Sequence, residues 1–163
     1  MPITILPVIL TLTLGDAVSL RQTNNVPADA LIQLRRTSCF GTCPVYSVSI
    51  DATGQVIYVG EKFVRVVGRH TARIEPSIVA KLLAHAESAR FFDLRDAYRE
   101  IENADGSRTS VSDQPTTFVS VAANGRNKTI EDYIGAPEAL KEFEREIDEA
   151  AGSKRWISLD GRE

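Results

Sequence analysis

The sequence predicts an α+β fold: an antiparallel sheet of about five strands with two helices packed on one face, in the order β-β-β(-β)-α-β-β-α. Three observations predict it. Residues 45–51, VYSVSID, alternate between apolar and polar side chains, the period of a half-buried strand. Residues 75–94 repeat their apolar positions every three or four residues, the period of an amphipathic helix. Residues 116–134 place Asn124-Gly125 between two strand-like runs, which marks a type I′ hairpin.

The elements follow in order. The first strand is ALIQLRRT, with Ile32 and Leu34 on one face and Gln33 and Arg35 on the other. In the second, Tyr46, Val48 and Ile50 point one way and Val45, Ser47 and Ser49 the other. DATG, residues 51–54, supplies a turn, because Asp bonds the backbone ahead of it and Gly54 tolerates positive φ. QVIYVGEKFVRVVG, residues 55–68, returns as one long strand or as two joined near Gly60. Pro76 suits a first helical turn, and Ile78, Leu82, Ala86 and Ala89 form the stripe behind it. Phe91, Phe92 and Leu94 then close the helix onto the sheet. Residues 99–115, rich in Ser, Asp and Gly, read as a long exposed loop. After the hairpin, the last helix starts near Pro137 and Glu138 and buries Leu140, Phe143, Ile147 and Ala150. Gly152 ends it, and Trp156 packs back onto the core.

At 163 residues, with 43% apolar and 25% charged residues, the chain has material for one domain with a real core. A net charge of −3 and a pI near 5.5 give no footprint for nucleic acid. The densest basic pair, Arg35-Arg36, lies inside a strand-like run and is expected to be a solvated edge. The chain divides into residues 1–17, a signal peptide or apolar segment; 18–29, a polar linker; 30–157, the α+β domain; and 158–163, a tail. The run ITILPVILTLTL, residues 3–14, is too short to span a bilayer, which takes about 20 residues. It has the length of a signal peptide's hydrophobic region, with Gly15 and Ala17 behind it for cleavage. The basic segment that should precede it is missing, since the first Lys or Arg is Arg21. The alternative is a mature N-terminal strand; export is the preferred reading, and no membrane span is expected in the mature protein.

The two cysteines, in Cys39-Phe40-Gly41-Thr42-Cys43-Pro44, decide between chemistry and structure. The C-x-x-x-C-P string is similar to the copper-binding loop of thioredoxin-like copper chaperones, where it opens a helix that lowers the thiol pKa. Here a strand-like run follows Pro44. The structural reading is a Cys39–Cys43 bridge, reachable because Gly41 lets the chain double back. Closing so short a loop restricts the unfolded chain by roughly 2 kcal/mol. Such bonds persist in exported proteins. A structural disulfide is the leading reading, and a thiol-redox or copper-handling pair the alternative.

LRRTSCFGTCPVYSVSIDATGQVIYVG resembles the opening of a bacterial family known as domain of unknown function 6438. The signature Leu-x-Arg-x-x-Cys-Phe-Gly-x-Cys-Pro-x-Tyr runs here through Leu34, Arg36, Cys39, Phe40, Gly41, Cys43, Pro44 and Tyr46. Gly54, Tyr58 and Gly60 continue it, and FFDLRDAY, SDQPTTFVSV and IGAPEALKEFEREID are similar to later blocks, covering residues 30 to 157. The resemblance implies a secreted or envelope-associated bacterial domain and brings no activity.

The remaining candidates are weaker. His85 lies beside the apolar stripe of the first helix and reads as a packed boundary residue; His70 ends a strand and reads as exposed. Neither has a nucleophile in a recognisable setting, and no zinc-protease helix, P-loop or dinucleotide fingerprint is present. Asp93, Asp96, Asp105 and Asp113 are the acidic candidates. Asp113-Gln114-Pro115-Thr116, opening a strand after the long loop, is the expected binding surface, with an envelope protein or a small ligand as partner. No catalytic residue, metal site or cofactor is assigned. The expected function is a non-enzymatic extracytoplasmic binding or structural module.

Overall fold

β1 (Leu31–Arg36) alternates inward Ile32, Leu34 and Arg36 with outward Leu31, Gln33 and Arg35, and it sits near the centre of the sheet. A computed structural model of the chain describes residues 26–158. The expected export segment and most of the expected linker and tail lie outside the described residues. β2 (Val45–Asp51), β3 (Gln55–Lys62) and β4 (Gly68–Arg73) follow β1 as a meander. After α1 (Pro76–Ser88) come a single 3-10 turn at Phe91–Asp93 and β5 (Ala97–Arg99). β6 (Ile101–Glu102) and β7 (Arg108–Thr109) pair with each other alone. β8 (Thr117–Ala123) and β9 (Arg126–Ile134) form the hairpin, and α2 (Glu138–Ala151) and α3 (Lys154–Ile157) end the chain.

The main sheet has seven strands in the order β4-β3-β2-β1-β8-β9-β5, so the expectation of about five is corrected. Two departures account for the difference. The run from Gln55 holds β3 alone, with Gly60 inside it, and after residues 63–67 β4 opens at Gly68 and continues to Arg73, beyond the expected run. β5 is only three residues long and runs parallel to β9, too short to show an alternation. The expected loop at 99–115 thus begins as a strand and contains the small β6–β7 hairpin.

Local chemistry explains the turns. Asn124 and Gly125 both take positive φ, as a type I′ turn needs, and their N–H groups donate to the Asp29 carboxylate at 3.0 and 2.6 Å. Gly54 has φ +80, and the Asp51 carboxylate accepts from Thr53 N and Gln55 N at 2.8 and 3.0 Å. Gly152 caps α2 in the left-handed conformation.

One cluster holds the inward strand residues together with the helix stripes. Ile32, Val48, Tyr58, Val119, Val121 and Ile130 share it with Val79, Leu82 and Ala86 of α1 and with Leu140, Phe143 and Ile147 of α2. Fully burying side chains of this size contributes about 1.5–3 kcal/mol each. α1 buries Val79 where the sequence stripe placed Ile78, one position off; α2 buries Ala151 in place of Ala150. Trp156 of α3 stacks on Tyr58 with centroids 4.7 Å apart.

Gly60 keeps this corner closed. A Cβ there would lie 2.2 Å from the Val66 carbonyl and 2.7 Å from the Tyr58 hydroxyl. Val66 N donates in turn to Trp156 O at 3.0 Å, so the 63–67 loop, Tyr58 and α3 share one packing unit. Gly60→Ala should therefore destabilise the domain by about 1–3 kcal/mol through overpacking. Gly41→Ala, whose Cβ would meet only Cys39 Sγ at 3.7 Å, should be near neutral. Urea unfolding of the two variants measures the contrast, and equal stabilities would refute this account.

Candidate functional site

The ends of β1, β3, β5 and β9 and the starts of β2, β4 and β8 meet at one end of the sheet. Four connections gather there: residues 37–44, 63–67, 100–116 and 135–137. The first holds the Cys39–Cys43 disulfide, with a Cα–Cα distance of 5.8 Å. Gly41 N donates to Cys39 Sγ at 3.2 Å, which tightens the loop. The chain continues through Pro44 into β2, so no helix N-terminus adjoins the sulfurs.

The cysteine loop and Asp113–Thr116 are brought together. Thr37 N donates to Thr116 O at 3.0 Å, Thr116 N donates to the Thr37 hydroxyl at 2.9 Å, and Phe40 N donates to Asp113 O at 3.4 Å. Asp113 holds φ +67, a left-handed conformation that turns the chain into β8. Gln114 N donates to the Tyr133 hydroxyl at 3.3 Å, and that hydroxyl donates to Val111 O at 3.0 Å. A Cβ on Gly135 would sit 2.2 Å from Glu100 O, so only glycine lets the chain pass there.

Beneath this end lies a polar cluster that the sequence reading missed. Arg36 is no solvated edge: strand alternation turns it inward, under α2. Its Nε donates to the Tyr46 hydroxyl at 3.0 Å, its Nη2 to Asp148 at 3.0 Å and its Nη1 to the Thr117 hydroxyl at 2.9 Å. Glu144 Oε2 stands 3.5 Å from Nη1. The Tyr46 hydroxyl donates to the Asp148 carboxylate at 2.9 Å. The signal was present in the sequence: Arg36 shares the inward parity of Ile32 and Leu34, and Glu144 and Asp148 stand four apart on α2.

Asp132 on β9 and Glu144 complete the cluster and are 8% and 5% exposed. Asp132 Oδ1 and Glu144 Oε1 are buried and meet no hydrogen-bond partner among the described residues, and each carboxyl perturbs the other's titration. Burial pushes the Glu144 carboxyl up to about 7; Arg36 pulls it back, and Asp132 adds to the rise. Burial also raises Asp132, against the opposing charges of Lys141 and Arg36. Tyr46 is raised by burial and by Asp148. For Arg36, burial lowers the guanidinium, but its interactions with Tyr46, Asp148 and Glu144 outweigh that and the net shift is upward.

This arrangement ties β1, β2, β8 and α2 together through one guanidinium. The Arg36 donors are taken up by Tyr46, Thr117, Glu144 and Asp148. The other titratable candidates are dispersed. His85 Nδ1 meets Glu146 at 2.5 Å between the two long helices, and His70 lies on the edge strand β4. Asp93 pairs with Arg90, Asp96 with Lys128, and Asp105 caps the β6–β7 turn through Ser107. Among the described residues no three His, Cys, Asp or Glu groups are placed to hold a metal ion.

The raised Glu144 carboxyl fixes a sign. Between its ordinary value of 4.5 and about 7 the folded protein keeps a proton that the unfolded chain releases. Its contribution to stability is therefore full below pH 4.5 and is lost as pH rises through 7, by up to about 3 kcal/mol. Glu144→Gln, whose amide donates to Asp132 at every pH, should melt progressively higher than the parent as pH is raised from 5 to 8. Parallel melting profiles across that range would show that Glu144 holds no such proton.

No curated protein matches the chain. Residues 30–151 match the family described as Domain of unknown function (DUF6438). The matched segment runs from the residue before β1 to the last residue of α2, and so takes in the disulfide corner, the Arg36 cluster and the whole sheet. The chain belongs to the DUF6438 family.

Proposed function

We propose that the chain is a non-enzymatic, extracytoplasmic binding module that grips a protein of the bacterial envelope with the end of its sheet. One observation carries this reading. The large hydrophobic side chains exposed among the described residues are Phe40, Phe63, Val67, Ile101 and Val111, and all five lie in connections at that end. They are spread along that end, from the β3–β4 connection past the disulfide loop to the segment after β5, so the end as a whole is the candidate contact region.

Phe40 is the anchor. It is 88% exposed at the tip of a loop closed by the disulfide and tied to Asp113, so little ordering remains to be done on binding. Phe63 is held with φ +53, an unfavourable conformation for an aromatic residue, and strained positions of this kind cluster at functional sites. Charges of both signs surround these residues, among them Lys62, Glu100, Glu102 and Arg108, which suits a protein surface better than a uniformly charged one. The disulfide supports an oxidising compartment.

The test is capture of identified envelope proteins by the immobilised domain. Phe40→Ser should weaken retention by about 30-fold or more, as expected for a central aromatic anchor. Its melting temperature should stay at the parent value. Removing both sulfurs with Cys39→Ser and Cys43→Ser should weaken retention less, through loop disorder. Unchanged retention by Phe40→Ser would overturn the assignment. Exchange of the disulfide with glutathione, or copper bound by the reduced thiols, would favour thiol chemistry instead.

A further inference from the structure

The geometry points to a second binding site on the opposite surface: the sheet face turned away from the helices, taking a short acidic oligosaccharide between Arg35 and Arg69. The register lays this face out in rows. One row runs Arg69, Val59, Ser47, Arg35, Phe118 and Glu131 across β4, β3, β2, β1, β8 and β9. The next runs Thr71, Ile57, Ser49, Gln33, Ser120 and Thr129. Two serines in succession thus occupy β2, with Ile57 and Val59 along one bank and Gln33 and Arg35 along the other. Short side chains between longer ones leave a trough of about 410 Å³. That volume lies within the usual range of small-ligand sites.

A solvated antiparallel face is ordinarily covered by long polar side chains, and it needs no ligand to explain it. Two features go beyond that. The first is charge: neither Arg35 nor Arg69 has a carboxylate partner among the described residues, while other acids near this face are engaged or stand apart. Glu131 accepts two bonds from Arg99 at 2.9 and 2.6 Å, and Asp51 is used by its own turn. Glu61, two positions beyond Val59, lies outside the trough lining. The second is preorganisation. The Arg35 guanidinium lies over the Phe118 ring at 4.4 Å from its centroid, which fixes the plane and leaves N–H edges free to fork a carboxylate.

The ligand class follows from these groups. Arg35 and Arg69 are three strand spacings apart, about 14 Å between backbones. That separation suits a ligand with acid groups on different units, and a single small anion cannot span it. Between the arginines, Ser47, Ser49 and Gln33 offer hydroxyl and amide groups that match sugar hydroxyls, and Ile57 and Val59 offer an apolar bank for the ring's C–H face. A net charge of −3 argues against a long polyanion.

Trigalacturonate is the probe, titrated into the full chain by calorimetry, with maltotriose and inorganic phosphate as controls. Binding of trigalacturonate should be at least tenfold tighter than either control. Arg35→Gln and Arg69→Gln should each weaken it tenfold or more. Ser49→Leu, which fills the trough without changing charge or core, should abolish it at an unchanged melting temperature. Phe40→Ser should bind the sugar acid like the parent, so failure of the protein-binding reading would not touch this one. No binding at millimolar concentrations, equal binding of phosphate, or undiminished binding by Ser49→Leu would each overturn the proposal.

Discussion

The guanidinium of Arg36 is the constraint on which this molecule depends. It joins β1 to β2 through Tyr46, to β8 through Thr117 and to α2 through Glu144 and Asp148. A charge taken from water is tolerable only where its partners are complete, and removing one partner of such a group typically costs several kcal/mol. Here three carboxyls, of Asp132, Glu144 and Asp148, are grouped around one cation, and burial raises the Asp132 and Glu144 carboxyls, which favours their neutral forms. The cluster is thus an orientation device: helix α2 docks on the sheet in one register because its two acids must meet one arginine.

The same cluster supports the exposed surface above it. Arg36 is the residue before Thr37, whose bonds to Thr116 close the disulfide corner against the start of β8. Thr117 follows Thr116 directly and accepts from Arg36. Binding loops need a rigid base, and this one is a partly buried ion network that joins three strands to a helix. On β1 the period of two gives adjacent arginines opposite tasks: Arg36 braces the interior, and Arg35 faces the outer trough.

Much of this was legible in the sequence, and the misses have physical causes. β1, β2, the Asp51–Gly54 turn, the Asn124-Gly125 hairpin and both long helices carry strong periodicity or turn chemistry, and the structure shows each of them. β5 was hidden because three residues cannot display a period and because a parallel edge strand draws its definition from β9. Arg36 was misread because composition treats arginine as surface, although its parity along β1 pointed inward. The pairing of the cysteine corner with Asp113–Thr116 had no sequence signal: residues 37 and 116 meet only because β8 lies beside β1. The raised Glu144 carboxyl could not be read from the sequence, since it comes first from burial and then from Arg36 and Asp132, which only the fold brings beside it.

That adjacency of β1 and β8 also orders the chain's assembly. The meander from β1 to β4 closes through short connections, and so does the β8–β9 hairpin. The seam between them joins Arg36 to Thr117 and Leu31 to Ala122, partners separated by most of the domain's sequence. Long-range pairings of this kind are the slow events of folding, because the intervening chain must be gathered first. A chain emerging N-terminus first therefore presents one bare edge of β1 until the hairpin arrives. The consecutive arginines on that strand keep the waiting edge charged, which discourages pairing with a neighbouring nascent chain.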